Sequence, residues 1–351
     1  MKTLKISLLV ILLGTLLGTQ AIAKEEFTKK ISKSYDVNKD ATLVIKNKFG
    51  KIHCQNWDKN IISIEVTITL EASNQEKANK YFDKITIAFS GNADRVSATT
   101  SFDDNLFDNN NNEISVDYMV NMPKTIGLEL DHKFGDIILE EVQGPTSIEL
   151  GYGSLKANKL MSNDNELEIK FSDGFIGYVK SASLELKYSD LEIDEANDMS
   201  AESKFSELDI RKIDVLTLES GYDDDFIGSI RDLDVEAGFS DIEVRSLEER
   251  LIADIDYGEI KIKEMGRDFK LIDITNSFSD ANIGFHSESS FRLNATIKMG
   301  DLSYPRDKAR LTVVDLSYTS NKYEGVIGDN QDTSSKVMIE AKNSGVHLYY
   351  R

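Results

Sequence analysis

The sequence predicts an all-β chain wound as a β-solenoid, and three observations carry that prediction. A short turn motif recurs about every 17 to 18 residues. Apolar positions around each copy alternate with polar ones, the period of a strand. The alternation changes phase at each motif, as it must if the chain turns a corner and keeps its apolar side chains on one side.

The motif reads aromatic, Gly or Ser, acid, apolar. Clear copies are Phe49-Gly50-Lys51-Ile52, Phe134-Gly135-Asp136-Ile137, Tyr152-Gly153-Ser154-Leu155, Tyr188-Ser189-Asp190-Leu191, Phe205-Ser206-Glu207-Leu208, Phe239-Ser240-Asp241-Ile242 and Tyr257-Gly258-Glu259-Ile260. Looser copies begin at Phe171, Tyr222, Phe278 and Met299. Leu184, Leu186 and Tyr188 share one phase, Leu191 and Ile193 the other, so the corner falls at Ser189-Asp190. A unit this short cannot bury its own apolar edge, but a stack of units can. Ten anchors in register, ~4.8 Å apart, span roughly 45 Å. On this reading Phe134, Tyr152, Phe171, Tyr188, Phe205, Tyr222, Phe239, Tyr257 and Phe278 form an internal ladder, continued by Met299, and the corner acids point outward. The small residue beside each ring suits a tight turn.

Residues 24–125 are patterned differently and predict a strand-rich cap. Ile62 to Leu70 alternates cleanly. Ser73 or Asn74 caps a short helix over 75–84, with Ala78, Tyr81, Phe82 and Ile85 as its buried stripe. Strands are expected near 84–89, 96–102 and 114–120, around a polar Asn-rich loop from Asp103 to Asn112. Residues 126–351 hold the coils, with 336–341 and 345–349 as closing strands. No flexible linker separates the two parts.

The compartment is read from the first 23 residues. Lys2 and Lys5 precede an apolar run from Ile6 to Leu17 and a small-x-small site, Ala21-Ile22-Ala23: the pattern of a signal peptide cut after Ala23. No later segment is apolar enough to span a membrane as a helix. The chain carries 61 acidic and 41 basic residues, a net charge of −20, which disfavours nucleic acid and anionic headgroups as partners. Cys54 is the single cysteine, so packing rather than an intramolecular disulfide holds the monomer; it reads as a buried thiol.

The strand into Phe49-Gly50-Lys51-Ile52, the segment Trp57-Asp58-Lys59-Asn60, Tyr118 to Pro123, Leu128 to Ile137 and the later Gly/Ser-Asp-Ile/Leu copies resemble the bacterial secreted adhesin families that include the auto-transporter adhesin head GIN-type domains. Ser stands for that family's Gly at 189, 206, 240 and 279. The resemblance implies a right-handed, single-stranded β-helix, export to the periplasm or cell surface, and no catalytic residue.

The residues themselves point to little chemistry. His53, His132, His286 and His347 have no ligand partner at a metal-site spacing, and no nucleophile elbow, P-loop or dinucleotide fingerprint is present. Two readings stay open for the corner carboxylates: turn-forming side chains on a solvated edge, or ligands for calcium, drawn from Asp190, Asp223, Asp224, Asp225 and Asp241. No other cofactor is suggested. The expected function is a non-enzymatic binding or scaffold module of the envelope or cell surface, with a glycan or an envelope or surface protein as partner. A carbohydrate-active β-helical enzyme and a purely structural envelope protein are the alternatives. N-terminal sequencing of the exported protein is expected to begin at Lys24; an intact leader on the mature protein would contradict cleavage after Ala23.

Overall fold

A computed structural model describes residues 25–103, 106 and 113–351. The expected leader (residues 1–23) and most of the Asn-rich loop lie outside the described residues. The described chain forms one sheet of 23 strands, wound as a solenoid, with one α-helix.

The coils are parallel and in register. They run through β7 (Gly127–Val142), β8 (Thr146–Leu160), β9 (Asn165–Lys170), β10 (Asp173–Lys187), β11 (Asp190–Lys204), β12 (Glu207–Gly221), β13 (Asp224–Gly238) and β14 (Asp241–Asp256). Asp190 pairs with Glu207, Glu207 with Asp224 and Asp224 with Asp241. Their inward columns are almost wholly aliphatic: Leu191, Leu208 and Ile242 occupy one, Ile193, Ile210, Ile227 and Val244 the next, all buried. Each rung bends more than once. In β11 the inward residues Leu191, Ile193, Ala196, Met199, Ala201 and Ser203 skip two positions at 194–195 and 197–198, so two further phase changes join the one at the motif.

The motif corner turns differently from the sequence reading. Every ladder residue has positive φ, from 50° at Met299 to 65° at Phe49. A left-handed residue swings the chain so that it and its predecessor both face solvent. The phase therefore switches at Lys187-Tyr188, two bonds earlier than predicted, and Ser189 turns inward. The predicted internal ladder is thus overturned: Phe134, Tyr152, Phe171, Tyr188, Phe205, Tyr222, Phe239, Tyr257 and Phe278 stand outside, each about half exposed. The corner acids do face outward.

Inside the corner runs a column of small polar residues, buried at Ser172, Ser189, Asp223, Ser240, Ser279 and Ser344. The backbone explains them. The ring residue's amide reaches the next rung (Tyr188 N to Lys204 O, 3.1 Å), and the acid's amide reaches the previous one (Asp190 N to Ser172 O, 3.2 Å). The amide between them is met by a hydroxyl instead. Ser172 N donates to Ser189 Oγ (3.1 Å) and Ser189 N to Ser206 Oγ (3.2 Å). Each hydroxyl donates to the carbonyl two residues back, as Ser189 does to Lys187 O at 2.8 Å. Serine thus answers a buried donor that glycine cannot. Glycine is used where rungs approach most closely: a Cβ on Gly153 would lie 1.8 Å from Gly135 O.

The N-terminal cap is built from β1 (Glu25–Asp36), β2 (Thr42–Asn56), β3 (Ile61–Ala72), α1 (Gln75–Phe82), β4 (Ile85–Gly91), β5 (Arg95–Phe102) and β6 (Ile114–Met122). β2 is the first rung and pairs with β7 over Thr42–Cys54, so hydrogen bonding is continuous from cap to coils. β5 and β6 cover its open side; β6 then pairs antiparallel with β3, and β3 with β1. Asn74 caps α1, accepting from Lys77 N at 3.0 Å, and Ala78 and Phe82 are buried. The helix ends at Phe82 because Ile85 already belongs to β4. Along the edge strand β1, Lys29, Lys30 and Lys33 oppose further strand addition. Cys54 is fully buried, and burial pushes its thiol up to about 12.

The C-terminal end is threaded rather than sequential. Its elements are β15 (Glu259–Met265), β16 (Leu271–Ser277), β17 (Asp280–Phe285), β18 (Phe291–Lys298), β19 (Asp301–Ser303), β20 (Ala309–Ser317), β21 (Ser320–Ile327), β22 (Lys336–Lys342) and β23 (Gly345–Tyr350). β22 lies between β16 and β18, and β23 between β17 and β19. The predicted closing strands are therefore an inner rung, inserted between two rungs made earlier in the chain. The antiparallel strands β21 and β20 end the stack instead. The ladder order changes accordingly. Phe278 N bonds to Lys342 O, so Phe278 is followed by Asn343 (φ 52°), and Met299 comes after. Asn tolerates the left-handed conformation better than most side chains. The longer spacing late in the repeat comes from the turns at 266–270 and 286–290, away from the ladder.

Ser189→Ala removes the acceptor for Ser172 N in a buried corner. Denaturant unfolding should show a loss of about 1–3 kcal/mol; an unchanged midpoint would mean that the hydroxyl column adds nothing to stability.

Candidate functional site: an external aromatic ridge and its acidic flank

The left-handed corners place ten rings in one line. From Phe49 through Phe134, Tyr152, Phe171, Tyr188, Phe205, Tyr222, Phe239 and Tyr257 to Phe278, successive centroids are 4.8–5.4 Å apart. Beyond the first pair the rings lie within 11° of parallel. Phe102 closes the Phe49 end edge-on at 5.6 Å. A left-handed L-residue costs roughly 1–2 kcal/mol, and a stacked aromatic pair returns ~0.5–1.5 kcal/mol. With one pair per rung the two nearly offset, so the stack compensates much of the corner strain. Each interior ring covers its neighbours' faces, and the solvent sees mainly ring edges.

Charge borders the ridge on both sides. Before the rings stand Lys133, Lys170, Lys187 and Lys204, several held by a glutamate column. Lys187 pairs with Glu185 (2.6 Å), Lys204 with Glu202 (2.6 Å), and Lys170 reaches across to Glu185 (3.1 Å). These pairs hold the Glu185 and Glu202 carboxyls below the usual carboxylate range, through the hydrogen bonds from lysine. Beyond the rings stand the outward acids Asp136, Asp173, Asp190, Glu207, Asp224, Asp241 and Asp280. A shallow groove of about 310 Å³ lies on this flank, lined by Glu207, Asp224, Phe226, Asp241, Glu243 and Glu259 among others.

The five carboxylates considered for calcium do not converge. Asp190, Asp224 and Asp241 lie in the outer column, with the Glu207 rung between Asp190 and Asp224. Strand alternation turns Asp223 and Asp225 inward, on the opposite face from Asp224. Among the described residues no group of three or more His, Cys, Asp or Glu is placed to hold a metal ion.

What the structure does bring together is a buried chain of Asp225, Ser220 and Asp223. Asp223 takes the place of a corner serine and accepts from Ser206 N (2.7 Å) and Gly221 N (2.9 Å). Asp225 accepts from Leu208 N at 3.2 Å. Ser220 Oγ lies 3.0 Å from Asp223 Oδ2 and 2.7 Å from Asp225 Oδ2. One hydroxyl proton cannot serve both carboxylates. Burial above all, with the nearby Asp223 charge, raises Asp225 to about 7. Below about pH 7 a proton on Asp225 lets it donate to Ser220 Oγ while Ser220 donates to Asp223. The sequence shows three adjacent acids here; only the burial of two of them reveals the relay.

The histidines are scattered. His132 is fully buried with its ring nitrogens at the carbonyls of Asn47 (3.3 Å) and Gly50 (2.9 Å), and burial lowers its pKa. It ties the second rung to the first. His347 is exposed on β23, stacked with Tyr349 at 5.1 Å.

No family model matches the chain, and no curated protein matches its sequence. Among solved structures it is similar to a candidate cell adhesion protein from Clostridium sporogenes, at 10% identity over 94% of this chain and 100% of that one, with a TM-score of 0.21. A candidate lipid binding protein from Parabacteroides distasonis aligns at 11% identity over 91% and 96%, with a TM-score of 0.32. A candidate adhesin from Bacteroides fragilis aligns at 9% identity over 91% and 97%, with a TM-score of 0.27.

The buried relay yields a pH dependence. Native Asp225 titrates near 7 and its unfolded counterpart near 3.8, so the native state binds that proton more tightly. Its contribution to stability is complete below about pH 4 and is lost as pH rises through 7. Asp225→Asn mimics the neutral carboxyl and removes that decline. Melting curves at about pH 5 and about pH 8 should differ less in the variant, by up to a few kcal/mol; equal declines in both proteins would exclude a proton on Asp225.

Proposed function

We propose that this chain is a non-enzymatic binding or scaffold module, exported to the bacterial envelope or cell surface, which engages a surface protein along its aromatic ridge. The observation that carries this reading is the exposed apolar strip itself. Nine of the ten rings, each about half exposed, present on the order of 1,000 Å² in one line, more than the largest apolar patch usual on a monomer. Ring faces are covered by neighbouring rings, so sugars have little on the ridge to stack against. Ring edges instead suit a flat apolar stripe on another protein. Lys170, Lys187 and Lys204 are already paired to glutamates, whereas Asp173, Asp190, Glu207, Asp224 and Asp241 in the middle of the acidic column face outward without an ion-pair partner among the described residues and can meet basic side chains bordering that stripe.

Asn343 shows that asparagine serves at this corner, so replacing Tyr188, Phe205 and Tyr222 together by Asn strips the centre of the ridge without abandoning its backbone. Adhesion of the purified protein to a panel of immobilised envelope and extracellular-matrix proteins should fall at least about tenfold in the variant. Circular dichroism and the melting transition would verify that it folds. Equal adhesion by a folded variant would remove the ridge from the interface, and release of reducing sugar from a glycan panel would favour the enzyme reading instead.

A further inference from the structure

The rung that ends the stack is incomplete, and its gap forms a second surface feature unlike the ridge. β19 follows β23 for three residues only, pairing Asp301–Ser303 with Gly345–His347. The chain then leaves through Tyr304-Pro305 and a single 3-10 turn, Arg306–Lys308. Leu348, Tyr349 and Tyr350 therefore lack a partner strand on that side. A cleft of about 430 Å³ opens there, within the size range of small-molecule sites. The floor carries the stacked pair His347 and Tyr349, and the wall carries Tyr304 and Lys308. Gly284 on the rung below allows Tyr349 to lie close, since a Cβ there would come within 3.1 Å of the ring. Lys308 is fixed 5.0 Å over the Tyr350 ring by bonds to Ser287 O (3.1 Å) and Asp329 Oδ2 (3.3 Å). Tyr350 donates to Ser289 O at 2.8 Å, and burial with the charges of Asp329 and Asp307 pushes its hydroxyl up to about 12, so it stays protonated.

We infer that this cleft binds one neutral pyranose unit of a glycan. The lining supplies what such a unit needs. The His347–Tyr349 pair is short and its His347 end is exposed, in contrast to the ridge, where each interior ring has a ring on either side. A sugar's C–H face suits that aromatic end, since ring faces carry partial negative charge. Its hydroxyls need acceptors and donors side by side. The exposed Asp307 carboxylate accepts, Lys308 Nζ donates, and the hydroxyl of Ser303 does either. Asp307, Asp329 and the net charge of −20 weigh against phosphates and acidic sugars. The open, half-polar lining does not suit an acyl chain.

The site is separate from the ridge and does not depend on the ridge reading. Saturation-transfer NMR on the full exported chain would use methyl glucoside, methyl galactoside and N-acetylglucosamine as probes, with glucuronic acid and inorganic phosphate alongside. The expected result is saturable binding of at least one neutral probe in the millimolar range, weakened about tenfold or more in His347→Ala and in Asp307→Asn. Both residues are exposed, so the variants should melt as the parent does. The triple ridge variant should bind the sugar unchanged, which separates failure of either idea from failure of the other. Absence of transfer to all three neutral probes would overturn the proposal. So would unaltered binding in both cleft variants, or binding of phosphate or glucuronic acid alone, which would make Lys308 an anion site.

Discussion

The left-handed corner is the constraint on which the rest of the molecule depends. It recurs at the same place in each rung, at Phe, Tyr, Met or Asn. That single backbone choice sends two consecutive side chains outward and the next one inward. It builds the external ring stack, turns the serine column toward the interior and sets the acids on the outer face. The stack and the strain are coupled: rings make the conformation supportable, and the conformation holds the rings in line. The serine column addresses the one corner amide that does not find a backbone carbonyl.

Much of the architecture was legible in the residues because coils repeat their local physics. The period, the alternating strands, the outward acids and the helix capped at Asn74 all follow from patterns over a few residues. The side on which the aromatics lie did not. Bulky side chains avoid positive φ, so nothing in Tyr188-Ser189-Asp190 suggests that the tyrosine itself adopts it. The phase change was consequently placed two bonds late. The order of the last rungs was hidden for another reason. Val337, Ile339 and Ala341 carry the same alternation as any rung, and no local feature says which neighbours they will find. β1 was missed because Lys29 and Lys33 occupy the positions between Phe27, Ile31 and Tyr35 on the same face, which breaks the apolar alternation. The carboxylate trio Asp223-Asp224-Asp225 looked like one cluster, yet alternation divides it between interior and surface.

The division of labour inside the coil also bears on function. Aliphatic columns and the corner serines hold the rungs together, so the outer faces are released from that task. One outer line is apolar and ring-edged, its flank is acidic, and the incomplete final rung offers an aromatic cleft. A partner protein and a sugar would therefore meet different parts of the same rod, with the stiff hydrogen-bonded stack fixing the distance between them.

The inserted rung has a consequence for how the molecule is made. Residues 336–350 lie between rungs formed by residues 271–285 and 291–303. Those two rungs cannot pair with each other without excluding the strand that belongs there. A chain emerging from its N-terminus can add coils one upon another as far as β17, and must then hold an open slot until residues 336–350 appear. Contacts of such long sequence separation are slow to close. Sequence order thus makes this rung a late one to close, and the two slot-forming edges stay exposed to other strands until residues 336–350 fill them.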